Sequence, residues 1–116
     1  MFSKQSKGVE VTIQRNAEGR YTGFYTYGHA FFAPSGKDIV CAAISVLIIN
    51  TVNSIETFTD ADATDSSNEE EGIVIFRMGN PADEKGQLFM KSLLLGLENI
   101  QSQYGEKHLR LTIEEV

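Results

Sequence analysis

The alternation of apolar and polar residues near the start of the chain predicts a β-hairpin. In "VEVTIQR", residues 9–15, apolar side chains occupy alternate positions from 9 to 13, which is the pattern of a strand with one buried face. The segment "NAEGR" supplies a turn, and "YTGFYTYGHA" after it is rich in aromatic and β-branched residues, which favours a second strand. We therefore expect a hairpin, with His29 at or just past the end of its second strand.

A long apolar run predicts a helix over residues 38–58. The segment "DIVCAAISVLIINTVNSIETF" has no turn signal and begins with Asp38, a residue suited to a helix N-cap. Its apolar stretch is too short, and too interrupted by Ser45, for us to expect a membrane span, which needs about 20 residues. Its apolar residues cover nearly the whole circumference rather than one stripe. We therefore expect a second subunit to cover the far side, giving a homodimer through this helix.

The remaining segments complete a single domain over residues 1–116. The polar, acidic residues 59–72 indicate a solvated loop, and "GIVIFRM" after them is typical of a strand. Apolar residues at helical spacing between Pro81 and Gly105 predict a second helix, and "KHLRLTIEE" predicts a last strand. This order predicts an α+β fold, in which two helices lie on one face of a mainly antiparallel, four-stranded sheet.

The formal net charge of −6 is unevenly distributed along the chain. Six of the 16 acidic residues lie within residues 59–72, where there is no base, and the other ten are matched by ten bases elsewhere. Direct binding of nucleic acid depends on clustered Lys and Arg and is not expected, whereas a basic protein partner suits the acidic segment. Lys4 and Lys7 have no apolar stretch behind them, so we expect no signal peptide and a cytoplasmic location.

The acidic segment also contains part of a calcium-loop pattern. Asp60, Asp62 and Glu71 fall at the first, third and twelfth positions of that template. Asp65 occupies the sixth position, which requires glycine for a sharp turn, and a strand rather than a helix follows. We therefore interpret the segment as solvated and expect no metal and no cofactor.

The chain's single cysteine, Cys41, is the main candidate for chemistry. One cysteine excludes an internal disulfide and a multi-cysteine metal site. With Asp38 as N-cap, Cys41 is the third residue of the helix, where the helix dipole favours a thiolate, although the charge of Asp38 opposes this. His29 could supply an imidazolium that reverses the opposition. Spacing alone leaves two interpretations open, which are a Cys/His dyad and a solvated strand-end histidine near a core cysteine.

Three neighbouring residues belong to the same candidate site. Ser45 lies one helical turn after Cys41, so its hydroxyl either contacts the surroundings of the cysteine or bonds back to the Cys41 carbonyl. Gly28 and Gly36 bracket the loop before the helix, either as a hinge or simply as turn residues.

In "YGHA" and "GKDIVCAAIS", the chain resembles the bacterial ribosomal-processing cysteine proteases. The resemblance extends over nearly the whole chain. It implies a homodimeric α+β protein that removes an N-terminal extension from a large-subunit ribosomal protein during ribosome maturation. It also implies that Cys41 is the nucleophile and His29 the general base, with Gly28, Asp38 and Ser45 as supporting residues.

The loop between the two implied catalytic residues differs from the family pattern. It reads "FFAPSGK" and is more apolar than the family's Gly-, acid- and Tyr-rich loops. The substrate extension in this family ends at Phe-Phe before Ala, and the loop contains the same three-residue sequence at Phe31, Phe32 and Ala33. Either the loop, including Gly36, lies in the substrate groove as a self-inhibiting mimic, or the two phenylalanines cap the core.

Two other classes of function fit the same residues. One is a non-catalytic ribosome-assembly factor whose acidic segment binds a basic ribosomal protein. The other is a redox sensor, because an acidified cysteine can form a sulfenic acid or an intermolecular disulfide.

Overall fold

The computed structural model describes residues 8–28, 39–68 and 72–116 of the chain. These residues form β1 (Val9–Arg15), β2 (Tyr21–Tyr27), α1 (Ile39–Phe58), β3 (Ala63–Asn68), β4 (Ile73–Met78), α2 (Glu84–Tyr104) and β5 (Leu109–Glu115). The strands form one sheet in the order β3-β4-β2-β1-β5, in which only β1 and β5 are parallel to each other. The predicted α+β class and the mainly antiparallel sheet are confirmed, but the sheet has five strands rather than four.

The predicted hairpin is confirmed and lies at the centre of the sheet. β1 and β2 pair antiparallel, with Thr12 opposite Tyr25. The alternating apolar residues of β1 are buried, as their spacing predicts. On the same face of the sheet, Phe24 of β2 stacks on Phe76 of β4 with ring centroids 5.1 Å apart. This face carries the core on which both helices pack.

Residues 63–68 form the edge strand β3, so the prediction of a solvated loop over residues 59–72 is wrong for this part. β3 pairs antiparallel with β4 in an unbroken register, from Ala63 opposite Met78 to Asn68 opposite Ile73. Every residue after Ala63 is exposed. No buried face therefore marks the strand in the sequence, and its backbone is ordered by pairing with β4 rather than by burial.

The predicted first helix is confirmed as α1, and it carries apolar residues on both sides. The residues on its core side are buried: Val40, Ile44, Ile48, Thr51, Val52 and Ile55. Away from the core, Ile39, Val46 and Ile49 are 64%, 65% and 57% exposed. At 20 residues, α1 is the one described helix that is long and apolar enough to cross a membrane. In this fold, its buried side packs against the sheet and α2.

The second helix begins and ends where the sequence predicts. Asp83 is the N-cap of α2, and its side chain accepts a hydrogen bond from the Gly86 N–H at 2.8 Å. Gly105 ends the helix with a φ of 96°, in the left-handed region that favours glycine. A Cβ placed on Gly96 of α2 would lie 2.9 Å from a methyl carbon of Leu47. The two helices therefore cross closely, and α2 supports α1 from the side.

Candidate active site

A cavity of about 410 Å³ lies between the first half of α1 and one end of the sheet. Residues of α1 form one side, and residues at or beside the ends of β1, β2, β3 and β4 form the other. Most of its wall is apolar: Val9, Ile44, Ile48, Ile49, Ile73 and Val74. An apolar cavity with a few polar groups is typical of a site that binds a ligand or a peptide side chain.

Cys41 is the third residue of α1, as predicted, and it lies on the wall of this cavity. The cysteine is half-buried and packs against the core. Ser45, one turn further along α1, lines the same cavity and is exposed. The helical spacing of four residues therefore places the thiol and the hydroxyl on one side of α1, beside the same cavity.

Gly28 follows the end of β2 and is hydrogen-bonded to the residue before β4, at the edge of the cavity. Its N–H donates a hydrogen bond to the Gly72 carbonyl at 3.1 Å. Its φ is 92°, and a Cβ added there would lie 3.0 Å from the carbonyl oxygen of Gly8. Only glycine adopts this conformation without strain. The turn therefore requires this residue type, and Gly28 also lines the cavity.

Five of the predicted site residues lie outside the described residues: His29, Phe31, Phe32, Gly36 and Asp38. His29 directly follows Gly28 in the sequence, and Asp38 directly precedes α1. The described residues on both sides of this segment thus reach the cavity at Gly28 and Cys41. The Cys/His dyad and the N-cap at Asp38 remain predictions.

The sequence did not identify Ser67 and Asn68 as site residues. Both line the cavity with Cys41 and lie at the end of β3. Their segment, "TDSSN", has neither apolar alternation nor a motif, so no signal in this single sequence distinguishes it from a loop. Pairing with β4 is what brings these residues to the cavity.

Acidic side chains surround the other end of β3. A second cavity, of about 560 Å³, is lined by Glu56, Asp60, Asp62 and their neighbours. A hydrogen bond with Asp65 of β3 raises the pKa of Glu56. The protonated form of Glu56 makes this bond and avoids the repulsion between two neighbouring carboxylates. Among the described residues, no group of three or more His, Cys, Asp or Glu side chains is arranged to hold a metal ion.

The fold and the cavity together define a class of protein. A half-buried thiol in the first turn of a helix, on the wall of an apolar cavity, has surroundings in which cysteine nucleophiles occur. The sequence matches the profile of the family described as Cysteine protease Prp over residues 9–108. The chain belongs to this family, and the protein is a cysteine protease.

Relatives of known sequence and structure cover most of the chain. The ribosomal processing cysteine protease Prp of Bacillus subtilis strain 168 is 28% identical over 108 residues, which cover 90% of this chain and 96% of the relative. The protease of the same name from Staphylococcus aureus strain Mu50 is 30% identical over 98 residues, which cover 84% and 92%.

Two crystal structures share the fold. A structure of the S. aureus protease Prp with a covalently linked product peptide has a TM-score of 0.85 at 28% identity, covering 91% of this chain and 99% of that one. SMU.848 from Streptococcus mutans has a TM-score of 0.81 at 29% identity, covering 94% and 96%. The same arrangement of sheet and helices therefore holds a peptide in at least one related protein.

Proposed function

We propose that this protease removes the N-terminal extension of a bacterial large-subunit ribosomal protein during ribosome maturation in the cytoplasm. The position of Cys41, in the first turn of α1 and on the cavity wall, carries the proposal. Two relatives are named ribosomal processing proteases. The product peptide linked covalently to one of the related structures supports a polypeptide substrate.

In the proposed reaction, Cys41 is the nucleophile and His29 is the general base. His29 takes the thiol proton, and the Sγ of Cys41 attacks the scissile carbonyl carbon. As the peptide C–N bond breaks, His29 gives the proton to the leaving amine, and a thioester remains on Cys41. Water, deprotonated by His29, then hydrolyses the thioester and frees the thiol. These steps require no metal and no cofactor.

The start of α1 stabilises the charges that develop during this reaction. The first N–H groups of a helix have no intrahelical partners and lie at the positive end of its dipole. They can therefore hold the thiolate of Cys41 and the oxyanion of the tetrahedral intermediate. In the proposed mechanism, the role of Asp38 is either to cap the helix and keep these groups in place or to orient His29. Gly28 fixes the end of β2 beside His29, and Ser45 lies on the same side of α1 as Cys41.

The apolar wall of the cavity selects the side chains next to the scissile bond. Ile44, Ile48 and Val74 form a surface that takes apolar side chains from water. Because Cys41 lies on the same wall, an apolar residue seated there holds the neighbouring peptide bond at the thiol. Positioning of this kind lowers the barrier to attack by fixing the reacting atoms together.

We also infer that two copies of the chain associate through α1. Ile39 and Val46 are 64% and 65% exposed on the side of the helix away from the core. Clustered exposed apolar side chains mark interaction surfaces in soluble proteins. A helix face that meets its own copy across a two-fold axis is the simplest way to cover them.

The function is tested by incubating the protein with the matching ribosomal-protein precursor and reading the new N-terminus by mass spectrometry. The wild-type chain should remove the extension at one peptide bond. Cys41→Ala should leave the precursor intact, while its circular dichroism spectrum and melting temperature match those of the wild type. Cleavage by Cys41→Ala at the wild-type rate would end the assignment of Cys41 as the nucleophile.

A further inference from the structure

β3 is an edge strand whose outer side pairs with no other described strand. Five of its six residues are exposed, and their side chains are small or short: Thr64, Asp65, Ser66, Ser67 and Asn68. Its register with β4 has no bulge and its sequence has no proline. Edge strands that must avoid other chains usually carry lysine, proline or a bulge. From Thr64 to Ser67, the outer edge of β3 is therefore a suitable template for pairing with an extended polypeptide.

The opposite edge of the sheet does not offer the same surface. The carbonyl of Leu109, at the start of β5, accepts a hydrogen bond from the Gln101 side chain of α2 at 3.0 Å. None of the described residues of β5 lines the cavity that holds Cys41, whereas Ser67 and Asn68 of β3 do.

The edge of β3 connects two different environments. Its last residues reach the apolar cavity that contains Cys41. Its first residue, Ala63, lines the second cavity beside Glu56, Asp60 and Asp62. Six residues of extended chain span about 20 Å. A strand laid along this edge therefore has one end at the thiol and the other beside carboxylates, which attract basic side chains.

We propose that the outer edge of β3 takes an extended, basic segment of the polypeptide substrate as a sixth strand and leads its scissile bond to Cys41. This inference rests on the proposed protease function, and it describes how the substrate is bound. Main-chain hydrogen bonds to β3 give affinity, the apolar cavity holds the side chains beside the scissile bond, and the acidic end of β3 selects a cationic segment about six residues away.

A scan of N-methylated substrates tests the pairing directly. The probe is an internally quenched peptide that spans the cleavage site found in the precursor, with one backbone N–H methylated in each version. A paired strand directs alternate N–H groups to its neighbour. We expect kcat/KM to fall about tenfold at every second position over about six residues on one side of the scissile bond, and to change little in between. A fall in kcat/KM that does not alternate along the peptide, or that is confined to the two residues at the scissile bond, overturns the proposal.

A pair of proline variants tests the same edge from the side of the enzyme. Adjacent residues of a strand direct their N–H groups to opposite sides, so one of Asp65→Pro and Ser66→Pro removes a bond to β4 and the other alters the outer edge; neither residue lines the cavity of Cys41. The variant that keeps its bonds to β4 is the one whose melting temperature matches that of the wild type. Its KM for the substrate peptide should be about tenfold higher. Its Cys41 should react with iodoacetamide at the wild-type rate, which shows that the site is intact. Wild-type KM in that variant contradicts pairing at β3.

The charge of the bound segment is tested with a third set of peptides. Replacing the basic residues of the substrate by glutamine, about six residues from the scissile bond, should raise KM severalfold, and the wild-type peptide should show a KM that rises with salt. An unchanged KM contradicts the selection of a cationic segment. Failure of the proposed function is distinguishable, because the wild-type chain would then cleave none of these peptides, the unmodified one included.

Discussion

At the scale of single residues, Gln87 shows how one buried amide connects two elements. The side chain of Gln87 on α2 is buried. Its Nε2 donates to the carbonyl oxygens of Tyr21 and Pro81 at 2.7 and 2.8 Å, and its Oε1 accepts from the Tyr21 N–H at 2.8 Å. Every polar atom of the side chain is thus satisfied, and the start of β2 is fixed to the first turn of α2.

We predict that Gln87→Ala lowers the free energy of unfolding by about 2–4 kcal/mol, because three backbone groups lose their partner in a buried place. Gln87→Glu keeps the acceptor but loses both donated bonds, so it should be nearly as unstable at neutral pH. Urea denaturation monitored by circular dichroism measures both variants. A loss below about 0.5 kcal/mol in Gln87→Ala would show that water replaces the amide at no cost.

Single residues also show which part of the site a sequence can predict. Helical spacing puts Cys41 and Ser45 one turn apart on the same side of α1, which is why both line one cavity. Gly23 could not be understood in the same way. A Cβ at this position would lie 2.2 Å from the Phe76 carbonyl oxygen of the neighbouring strand. This requirement arises from pairing between β2 and β4 and leaves no mark in the sequence around Gly23.

At the scale of elements, Asp83 fixes the start of α2 and connects it to the segment before β3. One carboxylate oxygen accepts from the Gly86 N–H at 2.8 Å, and the other accepts from the Asp60 N–H at 3.1 Å. These bonds, with the Gly86 bond the larger cause, lower the pKa of Asp83 below its usual value. A helix start after Pro81 was predicted from sequence, whereas the bond from the Asp60 N–H to Asp83 depends on the tertiary fold.

We predict that Asp83→Ala lowers the melting temperature by about 5 °C at pH 7, because the cap is lost. The folded-state pKa of Asp83 is below the unfolded one, so its stabilisation is complete above the unfolded pKa and disappears as the pH falls through the folded pKa. The difference from the wild type should therefore shrink below about pH 4. Asp83→Asn, which keeps a capping side chain, is the control. A difference that does not depend on pH would contradict a role for the carboxylate.

The two kinds of element differ in how well their sequences predict them. β1, α1 and α2 each bury one face, so the periodic spacing of their apolar residues is enough to define them. β3 buries no face and depends on β4 for its order. Its position could therefore not be predicted, although it supplies Ser67 and Asn68 to the cavity.

At the scale of the whole molecule, α1 has two roles that its composition alone does not separate. One side completes the core, and the first turn carries Cys41 at the cavity. The other side exposes Val46 and its apolar neighbours. The excess of apolar residues was predicted from sequence as a sign of a subunit interface, and the exposed side of α1 is where that interface would form.

We predict that Val46→Glu converts a dimer into a monomer, because a charge would be buried at the centre of the α1 face. Leu88→Glu is the matched control, since Leu88 is 67% exposed on α2 and its neighbour Phe89 stacks on Phe58, at the end of α1 far from Val46. Size-exclusion chromatography with light scattering measures the mass of each. A wild-type chain that is monomeric at all concentrations, or a Val46→Glu variant that stays dimeric, would contradict association through α1.

Reversible blocking of the single thiol in the wild-type chain tests most directly whether Cys41 is the nucleophile. Methyl methanethiosulfonate adds only an S–CH₃ group, which is small beside a cavity of about 410 Å³. Cleavage of the ribosomal precursor is measured against the fraction of Cys41 modified, as read by mass spectrometry. We predict that activity falls in proportion to that fraction, reaches zero at full modification and returns with dithiothreitol. A fully modified protein that cleaves at the unmodified rate would show that Cys41 is not the nucleophile.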